Sequence, residues 1–507
     1  MRDNGKASKA GRSSKPRKTN KTESASAAPQ QPADTNDSAA AERAPRGGIA
    51  ALIARHPQAW LASALGVAFL LLGTGAVFAG IAAGSGRTEA APIPTASEIP
   101  PRPQLDTLPA ASRLRTCSVN LQATDARLTT FSGYVVNAST GETLFDRNGT
   151  TGQRTGSVLK VITAAAALSV LGPDAQMTTS VVDGTSPGTI VLRGGGDPTL
   201  ATSTSTVYDG APQMGALAAA AMAEYDRLHP DVPITTIILD STLWNPDDNW
   251  DPSWLRKEQG DGYQAQVTAL MVDGGRADPS ENVSTRTTDP IGEAGEAFAR
   301  AAGLNNVDFT TGAASSDVVL ASVKSQPIST LIPQMLLASD NILAESLARV
   351  VSKASGFDGS STSLALAIPT ALQVYGLDVT RVGIRDGSGL SDLNSVSPQF
   401  MTQLFQKIRA GEKNLGIIMS SLPVAARSGT LASRFTGANS IAAGAVIAKT
   451  GWLDTEYSLA GIINAADGTP LAFAFYSIAD GISADAKEAQ DTLATAVFSC
   501  GDNLSNN

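Results

Sequence analysis

The most informative segment of the chain is Thr155-Gly-Ser-Val-Leu-Lys-Val-Ile-Thr-Ala-Ala-Ala-Ala-Leu168. Gly156 interrupts the preceding pattern, and apolar helix formers follow, so we predict a helix that begins at Ser157 and ends before Gly172. Ser157 and Lys160 are three positions apart and share one helix face. An amine beside a hydroxyl can act as its base when burial or nearby cations lower the pKa of the amine. Alone, this pair is a weak signal, because an apolar core helix can carry a stray polar pair.

The composition limits the chemistry that this chain can perform. At 507 residues, of which 42% are hydrophobic, the chain can hold two or three globular domains. It has two histidines, and only His229 lies in the part that we expect to fold. The chain therefore has few of the histidines that a Ser-His-Asp triad or a zinc site needs. We expect Lys, Asp or Glu as the base of any hydrolase, and neither a metal nor another cofactor.

Two cysteines, Cys117 and Cys500, lie near the two ends of the region that we expect to be globular. Their placement predicts one disulfide that ties the ends together, which requires an oxidising compartment. The alternative is two unpaired, buried cysteines, because separation in sequence says nothing about distance in space.

The N-terminal part of the chain has the pattern of a membrane anchor. Residues 1–58 carry eleven Lys and Arg against five Asp and Glu, and we expect a disordered, basic cytoplasmic tail. Residues 59–84 contain no charge and, as a helix, exceed the roughly 30 Å hydrocarbon core of a bilayer. The basic side is N-terminal, so we predict one transmembrane helix in the cell membrane, with the catalytic part on the cell-wall side. A cleaved signal peptide is the alternative.

The segment after the predicted membrane helix is rich in proline. Six prolines between residues 87 and 110 indicate that residues 85–115 form a semi-extended linker. The whole chain has a formal net charge of −9 although its tail is basic, so the remainder is strongly acidic. An acidic body argues against nucleic acid as a partner.

Beyond the linker, the pattern predicts a discontinuous domain with an insertion. We assign residues 116–173 and 330–501 to a catalytic domain, residues 174–329 to a strand-rich inserted domain, and residues 502–507 to a tail. In the insertion, short strands alternate with Gly- and Pro-rich turns. Its turn Gly194-Gly-Gly-Asp-Pro198 lacks the Gly-Lys-Ser/Thr of a phosphate loop.

The two parts of the catalytic domain differ in their predicted elements. The first part contains a hairpin before the nucleophile helix, and the second part contains helices followed by strands. The predicted strands are Phe131–Asn137, Thr143–Phe145, Ala445–Lys449, Ser458–Asn464 and Leu471–Ser477, and the predicted helices are Leu331–Leu337, Ile342–Ser352, Met401–Ala410 and Ala484–Phe498.

Three short motifs follow one another along the chain: Ser157-Val-Leu-Lys160, Ser339-Asp-Asn341 and Lys449-Thr-Gly451. Each motif alone is so short that it is expected by chance in many unrelated sequences. The ordered set is specific, because the first lies at a predicted helix start, the second between helices and the third on a strand. This set is typical of penicillin-binding proteins and class A β-lactamases.

From Phe131 to Ser499, the chain resembles the D-alanyl-D-alanine carboxypeptidase/endopeptidase family, the class C low-molecular-mass penicillin-binding proteins. Further segments carry the resemblance: Leu192-Arg-Gly-Gly-Gly-Asp-Pro-Thr-Leu200, Asp240-Ser-Thr-Leu-Trp244, Ser339-Asp-Asn-Ile-Leu-Ala-Glu345, Asp386-Gly-Ser-Gly-Leu-Ser391 and Ser428-Gly-Thr-Leu-Ala-Ser-Arg434. The family usually has Pro-Ala before its nucleophile, where this chain has Thr155-Gly156, and the insertion here is shorter than in the fullest members. The resemblance implies an α/β (α+β) transpeptidase-like domain, an antiparallel sheet packed with helices.

The expected roles follow from the motifs and the resemblance. Ser157 is the expected nucleophile and Lys160 its base, while Ser339, Asn341 and Lys449 complete the expected catalytic set. The expected substrate-binding residues are Thr450, Gly451 and Trp452. We expect Asp340 and Glu345 to be solvent-facing or structural in their helix, and Asp386 to form a turn near the site.

The expected function is that of a serine D-Ala-D-Ala carboxypeptidase or DD-endopeptidase. Its implied partners are peptidoglycan peptides as substrate, β-lactams as covalent inhibitors and the membrane through one N-terminal helix. Two alternatives stay open: a β-lactamase, and a non-catalytic penicillin-binding sensor or cell-wall scaffold.

Overall fold

The computed structural model describes residues 114–506. The predicted tail (1–58), transmembrane helix (59–84) and nearly all of the linker (85–115) lie outside these residues. Within 114–506, no helix combines the length and the hydropathy that crossing a bilayer requires. The strands are β1 Cys117–Ser118, β2 Thr130–Asn137, β3 Thr143–Arg147, β4 Thr178–Asp183, β5 Thr189–Arg193, β6 Thr236–Asp240, β7 Asp308–Thr311, β8 Val319–Lys324, β9 Val446–Leu453, β10 Glu456–Asn464, β11 Pro470–Ile478 and β12 Leu504–Ser505. The α-helices are α1 Asn120–Ala123, α2 Lys160–Val170, α3 Met214–Leu228, α4 Lys257–Gly260, α5 Pro290–Ala302, α6 Ile328–Ala338, α7 Asn341–Ala354, α8 Leu364–Leu372, α9 Pro398–Ala410, α10 Gly416–Ser420 and α11 Asp485–Cys500.

Five strands form an antiparallel sheet in the order β3-β2-β11-β10-β9. Side chains alternate between its two faces. On one face, Ile462 of β10 joins an apolar core with helices α2, α6, α7, α8 and α9. On the other face, Leu459 and Ile463 of the same strand pack with Leu493 of α11. The chain is therefore of the predicted mixed α/β class, with an antiparallel sheet packed between helices.

The helix that carries the Ser-x-x-Lys pair begins with a tighter turn than the sequence predicts. Gly156–Leu159 form a 3₁₀ turn, in which the Val158 N–H donates to the Thr155 carbonyl at 3.1 Å, and α2 starts only at Lys160. Helix α2 is buried over most of its length and packs against α7 and α8. A helix that is apolar all round is stable only inside a core, so α2 forms the centre of this layer of helices.

A second five-stranded sheet is built from strands within the predicted insertion, in the order β7-β6-β5-β4-β8. Strand β4 is antiparallel to β5 and β8, whereas β5, β6 and β7 run parallel. Each parallel crossover contains a helix, α3 before β6 and α5 before β7, as parallel neighbours require. This segment is therefore mixed α/β rather than simply strand-rich. Helix α5 has no counterpart in the prediction, although Asp289 caps it and Gly303 ends it in the left-handed conformation.

The first and last described elements of the chain lie together. Strand β1 pairs in parallel with β12, which places Cys117 opposite Leu504. Cys117 and Cys500 form a disulfide with their Cα atoms 5.5 Å apart, so the predicted bridge is confirmed. The prediction that residues 502–507 are a tail needs correction, because Leu504 is buried in the apolar core beside α11 and lies in a strand.

Candidate active site

The three predicted motifs meet in one pocket. The Lys160 Nζ lies 2.7 Å from the Ser157 Oγ and 2.6 Å from the Asn341 Oδ1. The Lys449 Nζ lies 2.9 Å from the Ser339 Oγ. Because Ser339 and Asn341 belong to the same short motif, these contacts place all five predicted catalytic side chains in one group. The roles of the five residues stay a prediction.

Each of these side chains is positioned by the end or the edge of an element. Ser339 ends α6 in the left-handed region, with a φ of 61°, and this reversal makes Asn341 the first residue of α7. Between them, the Asp340 carboxylate caps α7 by accepting the Leu343 N–H at 3.0 Å. Lys449 lies on β9, the edge strand of the first sheet. The site is therefore held by two helix starts and a strand edge.

The Lys160 amine is buried and has the geometry of a base. Burial lowers its pKa to about 8, against the opposing effect of three nearby carboxyl groups. Its Nζ contacts the Asn341 Oδ1 and, at 2.8 Å, the Ser388 carbonyl, and both of these oxygens can only accept. Two N–H bonds of a neutral amine are thereby used, and its lone pair is left for the hydroxyl proton of Ser157. This arrangement suits proton abstraction from Ser157.

The second amine of the pocket, that of Lys449, is equally buried. Its pKa lies well below the usual value because of burial and, secondarily, because of the charge of Lys160. Of the two expected causes of the lowered Lys160 pKa, burial is found, whereas no nearby cation contributes. Besides Ser339, Lys449 donates to the Thr450 carbonyl at 2.9 Å. Two buried ammonium groups in one pocket repel, so the pair favours the loss of one proton.

A buried loop that follows α8 completes the surroundings of Lys160. Glu345 of α7 accepts the Gly387 N–H at 3.0 Å and the Ser388 N–H at 2.7 Å, which directs the Ser388 carbonyl toward Lys160. Burial and the nearby Asp386 raise the pKa of Glu345 to about 8. Glu345 is 1% exposed, so the expectation that it could face solvent is wrong. Asp386 forms the predicted turn.

The insertion reaches the second motif through an arginine. The Arg276 guanidinium donates to the Asp340 carboxylate at 2.7 Å and to the Tyr208 hydroxyl at 2.7 Å, and Tyr208 donates to Asp340 at 2.9 Å. Burial would raise the pKa of Asp340, but Arg276 and Arg286 hold it below its usual range. Asp340 is structural in its helix, as expected, but it does not face solvent. Nothing in the sequence around Arg276 signalled this link.

Two glycines allow β9 to lie directly against the nucleophile turn. A Cβ on Gly451 would lie 2.5 Å from the Thr155 carbonyl oxygen and 3.0 Å from the Ser157 nitrogen. A Cβ on Gly156 would lie 3.0 Å from the Trp452 nitrogen. The backbone N–H groups of Ser157 and Trp452 are therefore close neighbours, which is the arrangement that an oxyanion hole requires.

The predicted site residues open into a cavity of about 460 Å³. Ser157, Asn341 and Thr450 line it, together with the half-exposed Trp452. Residues of the insertion line it as well, and among them Tyr263 makes an edge-to-face contact with Trp452, with the ring centroids 6.1 Å apart. A peptide that enters this cavity would thus lie between the β9 edge and the insertion.

This fold and pocket define a serine enzyme of the penicillin-recognising class, in which a lysine stands in the place of the histidine of a triad. The family model described as "D-Ala-D-Ala carboxypeptidase 3 (S13) family" matches residues 116–294 and 276–497. The chain belongs to this family and is a serine-type D-Ala-D-Ala carboxypeptidase, as the sequence predicts.

Related proteins agree with this assignment. The chain is 33% identical to Carboxypeptidase DacB of Mycolicibacterium smegmatis over 380 residues, which cover 73% of this chain and 80% of that one. It is 27% identical to a D-alanyl-D-alanine carboxypeptidase of Actinomadura sp. over 448 residues, 71% of this chain and 79% of the other. The crystal structure of penicillin binding protein 4 from Haemophilus influenzae has the same fold, with a TM-score of 0.61 at 20% identity, over 74% of this chain and 96% of that one.

Proposed function

We propose that the protein releases the terminal D-alanine of peptidoglycan stem peptides through an ester on Ser157, and that the same pocket cleaves D-alanyl crosslinks. The observation that carries this proposal is the position of the Lys160 Nζ, 2.7 Å from the Ser157 Oγ and held there by two acceptors. β-Lactams acylate the same hydroxyl, because their strained amide presents the same carbonyl to it.

Acylation begins when the Ser157 Oγ attacks the carbonyl carbon of the D-Ala–D-Ala bond while its proton passes to the Lys160 Nζ. The negative charge that develops on the substrate oxygen is stabilised by the N–H groups of Ser157 and Trp452. Ser339, in contact with Lys449, then gives its hydroxyl proton to the leaving nitrogen and takes up the proton that Lys160 received, so that Ser339 is a hydroxyl and Lys160 a neutral amine again. The C–N bond breaks, D-alanine leaves and the peptide stays bound as an ester.

Deacylation repeats the same steps with water as the nucleophile. Water loses a proton to the neutral Lys160 amine and attacks the ester carbonyl. The C–O bond breaks, the Ser157 oxygen recovers a proton, and the shortened peptide leaves as a carboxylate. Lys449 and the Thr450 hydroxyl bind the terminal carboxylate of the substrate during acylation, and Asn341 binds its backbone.

The β-lactamase alternative requires a base that activates water rapidly against a penicilloyl ester. Near Lys160, the carboxyl groups of Glu345 and Asp386 accept hydrogen bonds from backbone N–H groups, and both residues are buried. Both carboxyls are engaged in holding the loop that surrounds Lys160. We therefore favour slow release of the penicilloyl group over rapid turnover.

Mass spectrometry of the intact protein with benzylpenicillin tests the proposal. We expect a single adduct on Ser157 that is released slowly, and no adduct on Ser157→Ala. Ser205→Ala, at an exposed serine of the insertion, is the matched control and should acylate normally. Release of D-alanine from a pentapeptide and cleavage of purified crosslinked muropeptides measure the two peptidase activities separately. An adduct on another residue, or no D-alanine release, would refute the assignment.

We further propose that residues 59–84 anchor the protein in the cell membrane with its catalytic part outside the cytoplasm. The uncharged segment, the basic residues that precede it and a disulfide, which needs an oxidising compartment, support this topology. The test compares the full-length chain with one that starts at residue 85. The full-length protein should stay in carbonate-washed membranes and be degraded by protease added outside the cell, whereas the shorter chain should not stay in the membranes.

We also propose that residues 174–329 are an inserted domain. The second sheet lies wholly within these residues and shares an apolar core with α3 and α5. Expressed alone, the segment should unfold cooperatively by circular dichroism. A featureless, non-cooperative transition would show instead that it depends on the rest of the chain.

A further inference from the structure

A carboxyl group that the mechanism does not use lies beneath the nucleophile turn. Glu456, the first residue of β10, has no exposed surface. Its Oε1 occupies the space in which a side chain on Gly156 would lie, so that a Cβ there would collide with it. Gly156 directly precedes Ser157 and has a φ of 43°, in the left-handed region. The carboxyl of Glu456 and the missing side chain of Gly156 therefore fit each other.

The hydrogen bonds around Glu456 suit a neutral acid rather than a carboxylate. The Ser458 hydroxyl donates its single proton to the Thr155 carbonyl at 2.7 Å. The same hydroxyl oxygen lies 3.4 Å from the Glu456 Oε1, where a protonated carboxyl can donate to it. Among the described residues, the other carboxyl oxygen, Oε2, has no hydrogen-bond partner, and neither does the Tyr476 hydroxyl, although both atoms are buried. A charged carboxylate with an unpaired buried oxygen would be costly.

Few charges face this carboxyl among residues 114–506. Burial raises the pKa of Glu456 to about 8, against the opposing effects of Arg154 of the nucleophile segment and of the hydrogen bond with Ser458. From β11, the Tyr476 hydroxyl faces it, and its own pKa is raised by burial and by Glu456. The cations of the neighbouring elements, Lys160 on α2 and Lys449 on β9, direct their Nζ atoms at Ser157 and Ser339 instead.

We propose that Glu456, as a buried neutral acid, is a positioning residue that supports the Gly156 turn and thereby holds Ser157 and the adjacent oxyanion pocket in their reactive geometry. The proposal rests on the proposed function, because its readout is acylation of Ser157. It has two consequences. A side chain at position 156 is tolerated only when Glu456 is shortened, and ionisation of Glu456 puts a negative charge beneath the pocket in which the oxyanion forms, which slows acylation.

The pH dependence of acylation tests the second consequence. The full-length wild type, Glu456→Gln and the exposed control Glu488→Gln are reacted with benzylpenicillin between pH 6 and pH 10, and adduct formation is followed by mass spectrometry. Glutamine has the shape of the neutral acid and cannot ionise. For a group with a pKa near 8, the neutral fraction falls by about tenfold between pH 7 and pH 9, so the rate of Glu456→Gln relative to wild type should rise by about that factor. Glu488→Gln should follow the wild type throughout.

Two outcomes of this experiment overturn the proposal. One is a constant ratio between Glu456→Gln and wild type across the pH range. The other is a loss of more than tenfold at pH 6, where the neutral acid and the amide should be equivalent. If the wild type itself forms no adduct on Ser157, the proposed function fails, and that result is distinct from either of these two.

A double-mutant cycle tests the first consequence, with melting temperatures to check that each variant is folded. Gly156→Ala should lower the acylation rate by more than a hundredfold. Combined with Glu456→Val, which removes the colliding oxygen, it should recover at least tenfold, although the left-handed φ still strains an alanine. An equal effect of Gly156→Ala in both backgrounds would refute the pairing.

Discussion

Replacing Arg276 by methionine tests how strongly the insertion supports the second motif. The Arg276 and Asp340 side chains are 1% and 3% exposed, and the guanidinium lies 2.7 Å from the carboxylate. Without the guanidinium, the carboxylate keeps the Tyr208 hydroxyl and the Leu343 N–H but loses its closest positive charge. Removing one partner of a buried pair costs about 3–5 kcal/mol. We expect Arg276→Met to lower the free energy of unfolding by that amount.

The matched control is an arginine of the insertion that lies at the surface. Arg300 is 69% exposed and pairs with Glu296 at 3.3 Å, one turn apart on α5. Such a pair contributes about 0.3–0.5 kcal/mol, so Arg300→Met should hardly change the urea midpoint. Arg276→Met/Asp340→Asn should recover part of the lost stability, because no unpaired charge is left in the core.

The functional half of this prediction concerns Asn341. Asp340 caps the helix that begins at Asn341, so a weakened cap should displace the Asn341 amide from the Lys160 amine and slow acylation by penicillin about tenfold or more. Arg300→Met should acylate at the wild-type rate. The reasoning is refuted if Arg276→Met unfolds at the same urea concentration as Arg300→Met, or if the two variants acylate equally fast.

Further predictions concern the base, the β9 edge, the chain ends and the buried acid. Because only the neutral amine of Lys160 accepts a proton, acylation should rise about tenfold per pH unit up to about pH 8 and then level or fall, as stopped-flow measurements with a chromogenic cephalosporin would show. Gly451→Ala should abolish acylation in the same assay while the protein stays folded, because its methyl group would press on the nucleophile turn. Cys117→Ser/Cys500→Ser should lower the free energy of unfolding by about 2–5 kcal/mol in urea titrations. The pKa of Glu456 is about 8 in the folded protein, against 4.5 for an exposed glutamate. Between these two pH values the unfolded chain binds fewer protons than the folded one, so the free energy of unfolding falls as pH rises. The gain in stability from Glu456→Gln should therefore grow with pH across this window, by at most about 1.4 kcal/mol per pH unit.

The sequence predicts the centre of the site well because the chemistry is local in each motif. A helix start fixes the spacing of Ser157 and Lys160, and the position of Asn341 after a helix break fixes its direction. The prediction that the three motifs meet in one pocket comes from their joint occurrence in penicillin-binding proteins, and not from their spacing alone. The first sheet is predicted because β2, β9, β10 and β11 are long apolar runs, which need burial on both faces.

The groups that tune the site are less visible in the sequence. Glu345, Arg276 and Glu456 look like ordinary surface residues in a helix, a loop and a strand, and only tertiary packing buries them. Arg276 and Asp340 are 64 positions apart, and no periodic pattern in the sequence predicts an ion pair over that separation. The burial of Leu504 is likewise not visible in the sequence, because a two-residue strand is too short to show an alternation of apolar and polar residues.

The contact between the ends of the described chain joins segments that are made at very different times during synthesis. Cys117 leaves the ribosome early, but its partner is added 383 residues later, and strand β12 follows that partner. The serine and its base are likewise made long before the lysine of β9. A nascent chain that does not yet contain Lys449 therefore carries the nucleophile in an incomplete pocket, because the third motif is still missing.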